Sequence, residues 1–173
     1  QKALTTMKKA ITAKSKATKA ESISIGISAE HLKLISALLQ TCLADLHVLY
    51  IKTRNFHWNV EGENFGPLHE LFEKQYKQLE VIIDEVAERI RKLGFFAAGS
   101  LQGFKALATI KEHLEEGTAA KDMLRILAAD HEAHIRFLRK AIEKTDETYD
   151  DAGTADLLTG NLRTHEKIAW MLR

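Results

Sequence analysis

The chain has 173 residues, the size of one domain, and 45% of them are hydrophobic, which is enough to build a single core. One proline, few aromatic residues and many Ala, Leu, Lys and Glu residues favour an all-α fold over a turn-rich β-sandwich. The net charge of +1 is unevenly spread: residues 1–26 hold six lysines against Glu21, a charge of +5, so the remainder carries −4.

The single cysteine, Cys42, cannot form an intrachain disulfide, and nothing in the composition points to an oxidising compartment. No uninterrupted apolar run reaches the roughly 18 residues of a membrane span, and the first residues lack the hydrophobic stretch of a signal peptide. We therefore expect a soluble, cytoplasmic protein without a membrane partner.

Residues 1–26 are predicted to form a flexible tail, because they combine lysine with small residues and contain almost nothing large to bury. The six lysines of this tail are Lys2, Lys8, Lys9, Lys14, Lys16 and Lys19. Such a tail predicts salt-sensitive, sequence-independent binding to the phosphates of double-stranded DNA. A solubilising tail or a targeting peptide is the alternative, although the absence of arginine weakens the second.

The first two helices are predicted from apolar residues at helical spacing. One runs from a Ser28 N-cap to about Asn59. The other has Pro67 in its first turn and is stopped by Gly94. A short connection makes the two helices an antiparallel hairpin.

The second half of the chain predicts another hairpin. A long connection, 94–117, contains a short helix at 101–110, and long helices follow at about 119–145 and 154–172. Two hairpins joined by one long crossover form the ferritin-like variant of the four-helix bundle. We therefore predict one ferritin-like domain over residues 27–173.

Five potential metal ligands lie between residues 57 and 94: His57, His69, Glu73, Asp84 and Glu88. His69 and Glu73 share a helix face, as do Asp84 and Glu88, because each pair is four residues apart. Glu73 and Asp84 are eleven residues apart, roughly 16 Å along a helix, so one ion cannot contact both within one chain. Two copies of the hairpin that meet antiparallel across a two-fold axis would make a shared site attractive.

A metal inside one bundle is the other arrangement, but it needs Glu-x-x-His on two helices, and this sequence contains no such motif. Mixed imidazole and carboxylate ligands suit iron, with zinc and manganese as competitors. The plain alternative is that His57 caps a helix end and that the acids are solvated.

These residues resemble the hallmark of the Dps (DNA protection during starvation) family. The matching residues are His57-Trp58-Asn59, His69, Glu73 and Asp84-Glu-Val-Ala-Glu88. The similarity extends to AKSKATK in the tail, RKAI at 139–142 and TADLLTG at the last helix, and so covers nearly the whole chain. Glu73 departs from the family pattern, in which aspartate is usual. Its longer side chain is expected to affect the occupancy of the second, weaker iron position.

The resemblance implies a hollow homododecamer of tetrahedral symmetry that oxidises ferrous iron at sites between subunits, preferably with hydrogen peroxide. Ferric mineral would be stored inside, and DNA would be protected because peroxide is consumed without release of hydroxyl radical. Carried over residue by residue, His57 with Asp84 and Glu88 of a second copy would hold the first iron. His69 and Glu73 would serve the second, so all five residues are both metal ligands and catalytic residues.

Four further residues are weaker candidates. Trp58, beside a ligand, would pack in the interface or donate an electron near the iron. Asp150, Asp151 and Asp156 would ring a three-fold pore through which iron enters, since converging carboxylates concentrate cations. A solvated acidic loop is the alternative.

The remaining histidines are less informative. His131 and His134 are three residues apart and would offer a surface metal site, although histidines on helix surfaces are usually inert. His31, His47, His113 and His165 have no partner that spacing identifies.

The function expected from these observations is a ferroxidase and iron-storage protein associated with the nucleoid under starvation or oxidative stress. The alternative is a nucleoid-compacting DNA-binding protein whose metals hold the subunit interface together. A third reading, an adhesin or immune-modulating particle, is favoured by no residue.

Overall fold

A computed structural model describes residues 23–173, and within this range the chain is helical without any strand. The predicted all-α, ferritin-like bundle with a short helix in the crossover is confirmed. The helices are α1 (Ala29–Asn59), α2 (Phe65–Lys92), α3 (Leu101–Leu107), α4 (Ala120–Glu143) and α5 (Ala152–Leu172), with a π-helical turn at Lys144–Thr148. Most of the predicted lysine tail, residues 1–22, lies outside the described residues.

The predicted boundaries of α1 and α2 follow local signals. The Ser28 side chain accepts a hydrogen bond from the amide of His31 at 3.1 Å, as an N-cap does. Gly94, at φ +90°, follows the end of α2 in the left-handed conformation that glycine adopts without strain. These two helices pack along each other, as do α4 and α5.

The crossover helix α3 ends at Leu107, three residues before the prediction, because a distant carboxylate takes the next amides. Thr109 and Ile110 donate their backbone N–H groups to Asp45 of α1 at 2.6 and 2.9 Å. These amides are therefore bound to another helix instead of continuing their own, and local sequence contains no sign of this contact.

The junction between α4 and α5 also departs from the prediction. The helix expected to end near residue 145 continues as the π-helical turn, and α5 begins two residues before Thr154. Asp151 is the N-cap of α5, since its carboxylate accepts the Thr154 amide at 2.9 Å.

Helix α1 supplies the centre of the hydrophobic core. By length and composition alone it could cross a membrane, and it is the only described helix that could. The segment contains no uninterrupted apolar run of that length, because polar residues alternate with its leucines. Ile35, Leu39, Leu46 and Leu49 of α1 are fully buried in the bundle, which accounts for its apolar character.

Candidate metal centre

His57 and His69 face each other where α1 ends and α2 begins. The His57 Nδ1 lies 2.8 Å from the carbonyl oxygen of His69, and the His69 Nδ1 lies 2.8 Å from the carbonyl oxygen of His57. Their rings are stacked, with centroids 3.8 Å apart and planes inclined by 22°. Each residue thus orients the other across the hairpin connection.

This reciprocal pairing decides which nitrogen of each ring can bind a metal. A carbonyl oxygen only accepts hydrogen bonds, so each Nδ1 carries the proton. In the neutral imidazole the opposite nitrogen, Nε2, then keeps its lone pair. A hydrogen bond from the non-ligating nitrogen to a carbonyl is the usual support of a metal-binding histidine. His57 and His69 therefore present two oriented Nε2 atoms.

Glu73 lies one turn after His69 on α2, and its carboxylate pairs with Lys77 at 2.5 Å. The hydrogen bond and charge of Lys77 lower the pKa of Glu73, and the nearby His57 and His69 act in the same direction. The Glu73 carboxylate is therefore held in its ionised form near the start of α2.

Asp84 and Glu88 lie farther along α2, on its exposed face. Glu88 pairs with Lys92 at 3.2 Å, whereas Asp84 has no side-chain partner among the described residues. Within residues 23–173, no three His, Cys, Asp or Glu side chains are grouped so that they could hold an ion. The structure thus brings His57 and His69 together and places Glu73 one turn after His69 on α2. It does not join Glu73 to the two imidazoles as a complete ion site, and Asp84 and Glu88 lie farther along the helix.

Trp58 is 62% exposed, although it is next to His57 in sequence. The Arg54 guanidinium lies 5.0 Å from the Trp58 ring centroid, and also lies over the rings of Tyr50 and Tyr76. This aromatic group was missed in the sequence, although the spacing of residues 50, 54 and 58 along one helix face would have indicated most of it.

Several large hydrophobic side chains of the protomer are strongly exposed. They include Ile51, Trp58, Phe65, Leu101 and Leu114. A groove of about 530 Å³ between α1 and α3 is lined partly by Ile51, Phe104 and Leu114. Exposed apolar patches of this kind mark interaction surfaces.

The three aspartates predicted to line a pore differ in their surroundings. Asp150 and Asp156 are exposed. Asp151 is 3% exposed, and its carboxylate binds Arg89 at 2.6 Å and caps α5. Because this carboxylate is occupied within the protomer, Asp151 is not available to line a pore.

The expectation that His131 and His134 lie on a helix surface is wrong, since both are completely buried. A sequence signal for this burial exists. Residues 127, 131, 134 and 138 are spaced four, three and four apart, and the first and last are core leucines. The two histidines therefore continue the buried stripe of α4.

Comparison with known proteins agrees with this architecture. The ferritin-like domain family matches residues 36–173. A low temperature-induced protein of Nostoc sp. is 44% identical over 151 residues, which cover 87% of this chain and 84% of that protein. DNA protection during starvation protein 2 of Bacillus anthracis is 37% identical over 141 residues, which cover 82% of this chain and 95% of that protein.

Among solved structures, the Dps protein of Vibrio cholerae O1 is similar with a TM-score of 0.82 and 32% identity, covering 90% of this chain and 97% of that one. It is described as a member of a broad superfamily of ferritin-like diiron-carboxylate proteins. The fold and these matches define a ferritin-like protein. Within that class, the chain belongs to the Dps family of mini-ferritins.

Proposed function

We propose that this protein oxidises ferrous iron at sites shared between two subunits and stores the ferric product. The observation that carries the proposal is the His57–His69 pair, whose two oriented Nε2 atoms are not joined by further ligands into an ion site among residues 23–173. Glu73 follows one turn after His69 on the same helix. The missing carboxylates would be the Asp84 and Glu88 of a second copy.

The position of the two ligand groups on α2 supports a shared site. Glu73 and Asp84 are eleven residues apart, roughly 16 Å along the helix axis. Two α2 helices placed antiparallel across a two-fold axis bring the His69 end of each beside the Asp84 end of the other. Two equivalent sites then form in each dimer.

The ligand set suits the proposed chemistry. Imidazole and carboxylate donors bind Fe(II), with Zn(II) and Mn(II) as competitors, and carboxylates favour the ferric product. Two ferrous ions give up one electron each, and hydrogen peroxide accepts both electrons with two protons and becomes two molecules of water. His57, Asp84 and Glu88 would hold the first iron, whereas His69 and Glu73 would hold the second more weakly.

Assembly into a homododecameric cage is part of the proposal. Its support is membership of the Dps family and the exposed apolar side chains Ile51, Phe65 and Leu101, which neighbouring subunits would cover. Exposed Asp150 and Asp156 remain candidates for a pore that admits iron, because carboxylates that converge on a symmetry axis concentrate cations.

Protection of DNA is proposed to accompany iron oxidation in the cytoplasm, at the nucleoid. The tail lysines Lys2, Lys8, Lys9, Lys14, Lys16 and Lys19 would bind phosphate without sequence preference. Several tails on one particle would add their weak contacts.

The test is anaerobic loading of the purified protein with ferrous iron, followed by peroxide, while ferric absorbance and particle mass are monitored together. We expect rapid oxidation in an assembled particle. His57→Ala, His69→Ala and Asp84→Ala should abolish it while the particle stays assembled. Asp122→Ala, which changes a half-buried aspartate outside the ligand set, should not.

Two results would contradict the proposal. A monomer that takes up no stoichiometric iron would overturn both the assembly and the chemistry. Ligand variants that fall apart, or that shield DNA from peroxide as well as the native protein does, would favour a nucleoid-compacting protein whose metals are structural.

A further inference from the structure

Two oppositely charged side chains, Lys77 and Glu80, lie in the middle of the exposed face of α2. The Lys77 side chain is 60% exposed and pairs with Glu73, four residues earlier. Glu80 is exposed and has neither an ion pair nor a side-chain hydrogen bond among residues 23–173. The hydrogen bond and charge of Glu73 raise the pKa of Lys77, and Glu80 acts in the same direction. The Lys77 ammonium is therefore charged, and a second carboxylate on the same helix face has no partner.

The proposed iron site fixes which residues of this face meet in two antiparallel copies of α2. The outer pair of ligands is His69 and Glu88, and the inner pair is Glu73 and Asp84. Both pairs share one midpoint, the peptide bond 78–79, so the two-fold axis of the dimer passes over that point. Each residue of this face then lies opposite the residue of the second copy that is equally far from the midpoint on its other side.

Lys77 and Glu80 share the midpoint of the ligand pairs. Lys77 of each copy therefore faces Glu80 of the other, and two contacts between opposite charges flank the two-fold axis. With 3.6 residues per turn, Lys77 and Glu80 lie about 30° on either side of the line midway between Glu73 and Asp84. Both charges are thus central to the face that a second copy would cover.

An exposed apolar side chain fits the same alignment. Val81 is 58% exposed, and residues 76 and 81 have the same midpoint as the ligand pairs. Val81 therefore faces Tyr76 of the second copy. The half-buried Tyr76 ring makes T-shaped contacts with Tyr50 and His57 of its own chain, which hold it in place. Charged and apolar side chains of α2 thus both find a complement in a second α2.

We propose that α2 docks antiparallel on α2 of a second copy through two reciprocal Lys77–Glu80 ion pairs, and that these pairs set the alignment in which the iron site forms. The inference rests on the proposed function, because the proposed ligands supply the alignment. Ion pairs at an interface fix register more than they add affinity. A shift of one helical turn would move Lys77 about 5 Å from its Glu80, and His69 from its Glu88 by the same amount.

A charge swap in the full-length protein tests the pair, with the protein concentration needed for assembly as the readout. Lys77→Glu and Glu80→Lys should each raise that concentration about 100-fold or more, because each sets like charges against each other twice in every dimer. The double variant with both substitutions restores opposite charges and should assemble near the native concentration. Sedimentation over a dilution series measures these concentrations.

Lys74→Glu is the matched control. Lys74 pairs with Glu70 as Lys77 pairs with Glu73, so both substitutions remove an equivalent ion pair within the helix. Lys74 lies about 90° from the centre line of the face, however, and its substitution should change assembly little. Because Lys74, Lys77 and Glu80 are all exposed, the variant protomers should keep the helicity of the native chain, which circular dichroism measures.

Two results with these variants would overturn the proposal: single variants that assemble as well as Lys74→Glu, or a double variant no better than the single ones. A second measurement needs no variant. Carbodiimide treatment of native particles assembled from light- and heavy-nitrogen chains should join Lys77 of one isotope to Glu80 of the other. Absence of this mixed cross-link would also overturn the proposal. Particles that form it but do not oxidise iron would contradict the proposed function and support the alignment.

Discussion

Arg89 of α2 and Asp151 at the start of α5 form an ion pair, with Nη2 and Oδ1 2.6 Å apart, that ties the two helix hairpins together. The Arg89 Nε also donates to the Thr154 hydroxyl at 2.8 Å. Arg89, Asp151 and Thr154 thus form a hydrogen-bonded network at the first turn of α5. The Asp151 carboxylate both pairs with Arg89 and caps the helix.

Asp151→Asn should therefore destabilise the protein. Asparagine can still cap α5, but it leaves the mostly buried Arg89 without its counter-charge, which should lower the free energy of unfolding by about 3 kcal/mol. Thermal unfolding at fixed protein concentration measures the change. Asp150→Asn, which changes the exposed neighbouring aspartate, is the matched control and should have little effect. Equal melting temperatures for the two variants would disprove the structural role.

Complementation between defective subunits tests whether the iron site is shared. Protomers with His57→Ala and His69→Ala keep their acids, whereas protomers with Asp84→Asn and Glu88→Gln keep their histidines. Each type should be inactive alone. Random co-assembly should restore about one quarter of the sites, because half of the dimers are mixed and each has one intact site.

Initial rates of peroxide-dependent iron oxidation measure this restoration. The control is the same two proteins mixed without disassembly, which should remain inactive. A site built within one chain predicts no recovery after co-assembly.

Acid should destabilise the metal-free protein through its buried histidines. An unfolded imidazole takes up a proton below about pH 6.5, whereas folded His131 does so only near pH 3, and the pKa of His165 is lowered too. The unfolded state therefore binds more protons between these values, and the free energy of unfolding falls as the pH falls through this window. The slope is about 1.4 kcal/mol per pH unit for each histidine.

Unfolding of chelator-treated protein between pH 7 and pH 4.5 gives the measurement. His131→Gln should reduce the slope by about 1.4 kcal/mol per pH unit, the contribution of one proton, since glutamine does not titrate. A slope unchanged by this substitution would mean that other groups control acid unfolding.

The lysine tail should carry DNA binding. Deletion of residues 1–20 is expected to abolish gel retardation, because it removes all six tail lysines from a body of negative net charge. Replacement of the six lysines by arginine preserves charge and should preserve binding, whereas replacement by glutamine should not. Retardation that survives deletion or is insensitive to salt would place DNA binding on the helical body.

Much of the fold was predictable because its signals are local. Helical periodicity, the Ser28 cap and Gly94 located α1 and α2 closely. The end of α3 was not predictable, since the amides of Thr109 and Ile110 bind Asp45, more than sixty residues earlier in the chain. Such a hydrogen bond depends on how distant helices pack together. The spacing of residues along one segment carries no information about that packing.

The candidate ligands themselves were identified from the sequence, but their relations to each other were not. Nothing in the spacing of His57 and His69 predicts that each donates its Nδ1 proton to the other's carbonyl oxygen. The same holds for Asp151, whose partner Arg89 is 62 residues away.

The sequence by itself determined the helices, the charge of the N-terminal segment and the set of candidate metal-binding side chains, because helical periodicity, charge and donor chemistry are properties of single residues and their near neighbours. Only the tertiary structure decided that His131, His134 and His165 lie with Cys42 in the buried centre of the bundle. It alone also decided that no ion site is complete at His57 and His69. Burial and ligand geometry arise when distant helices pack, and that packing sets which donors meet.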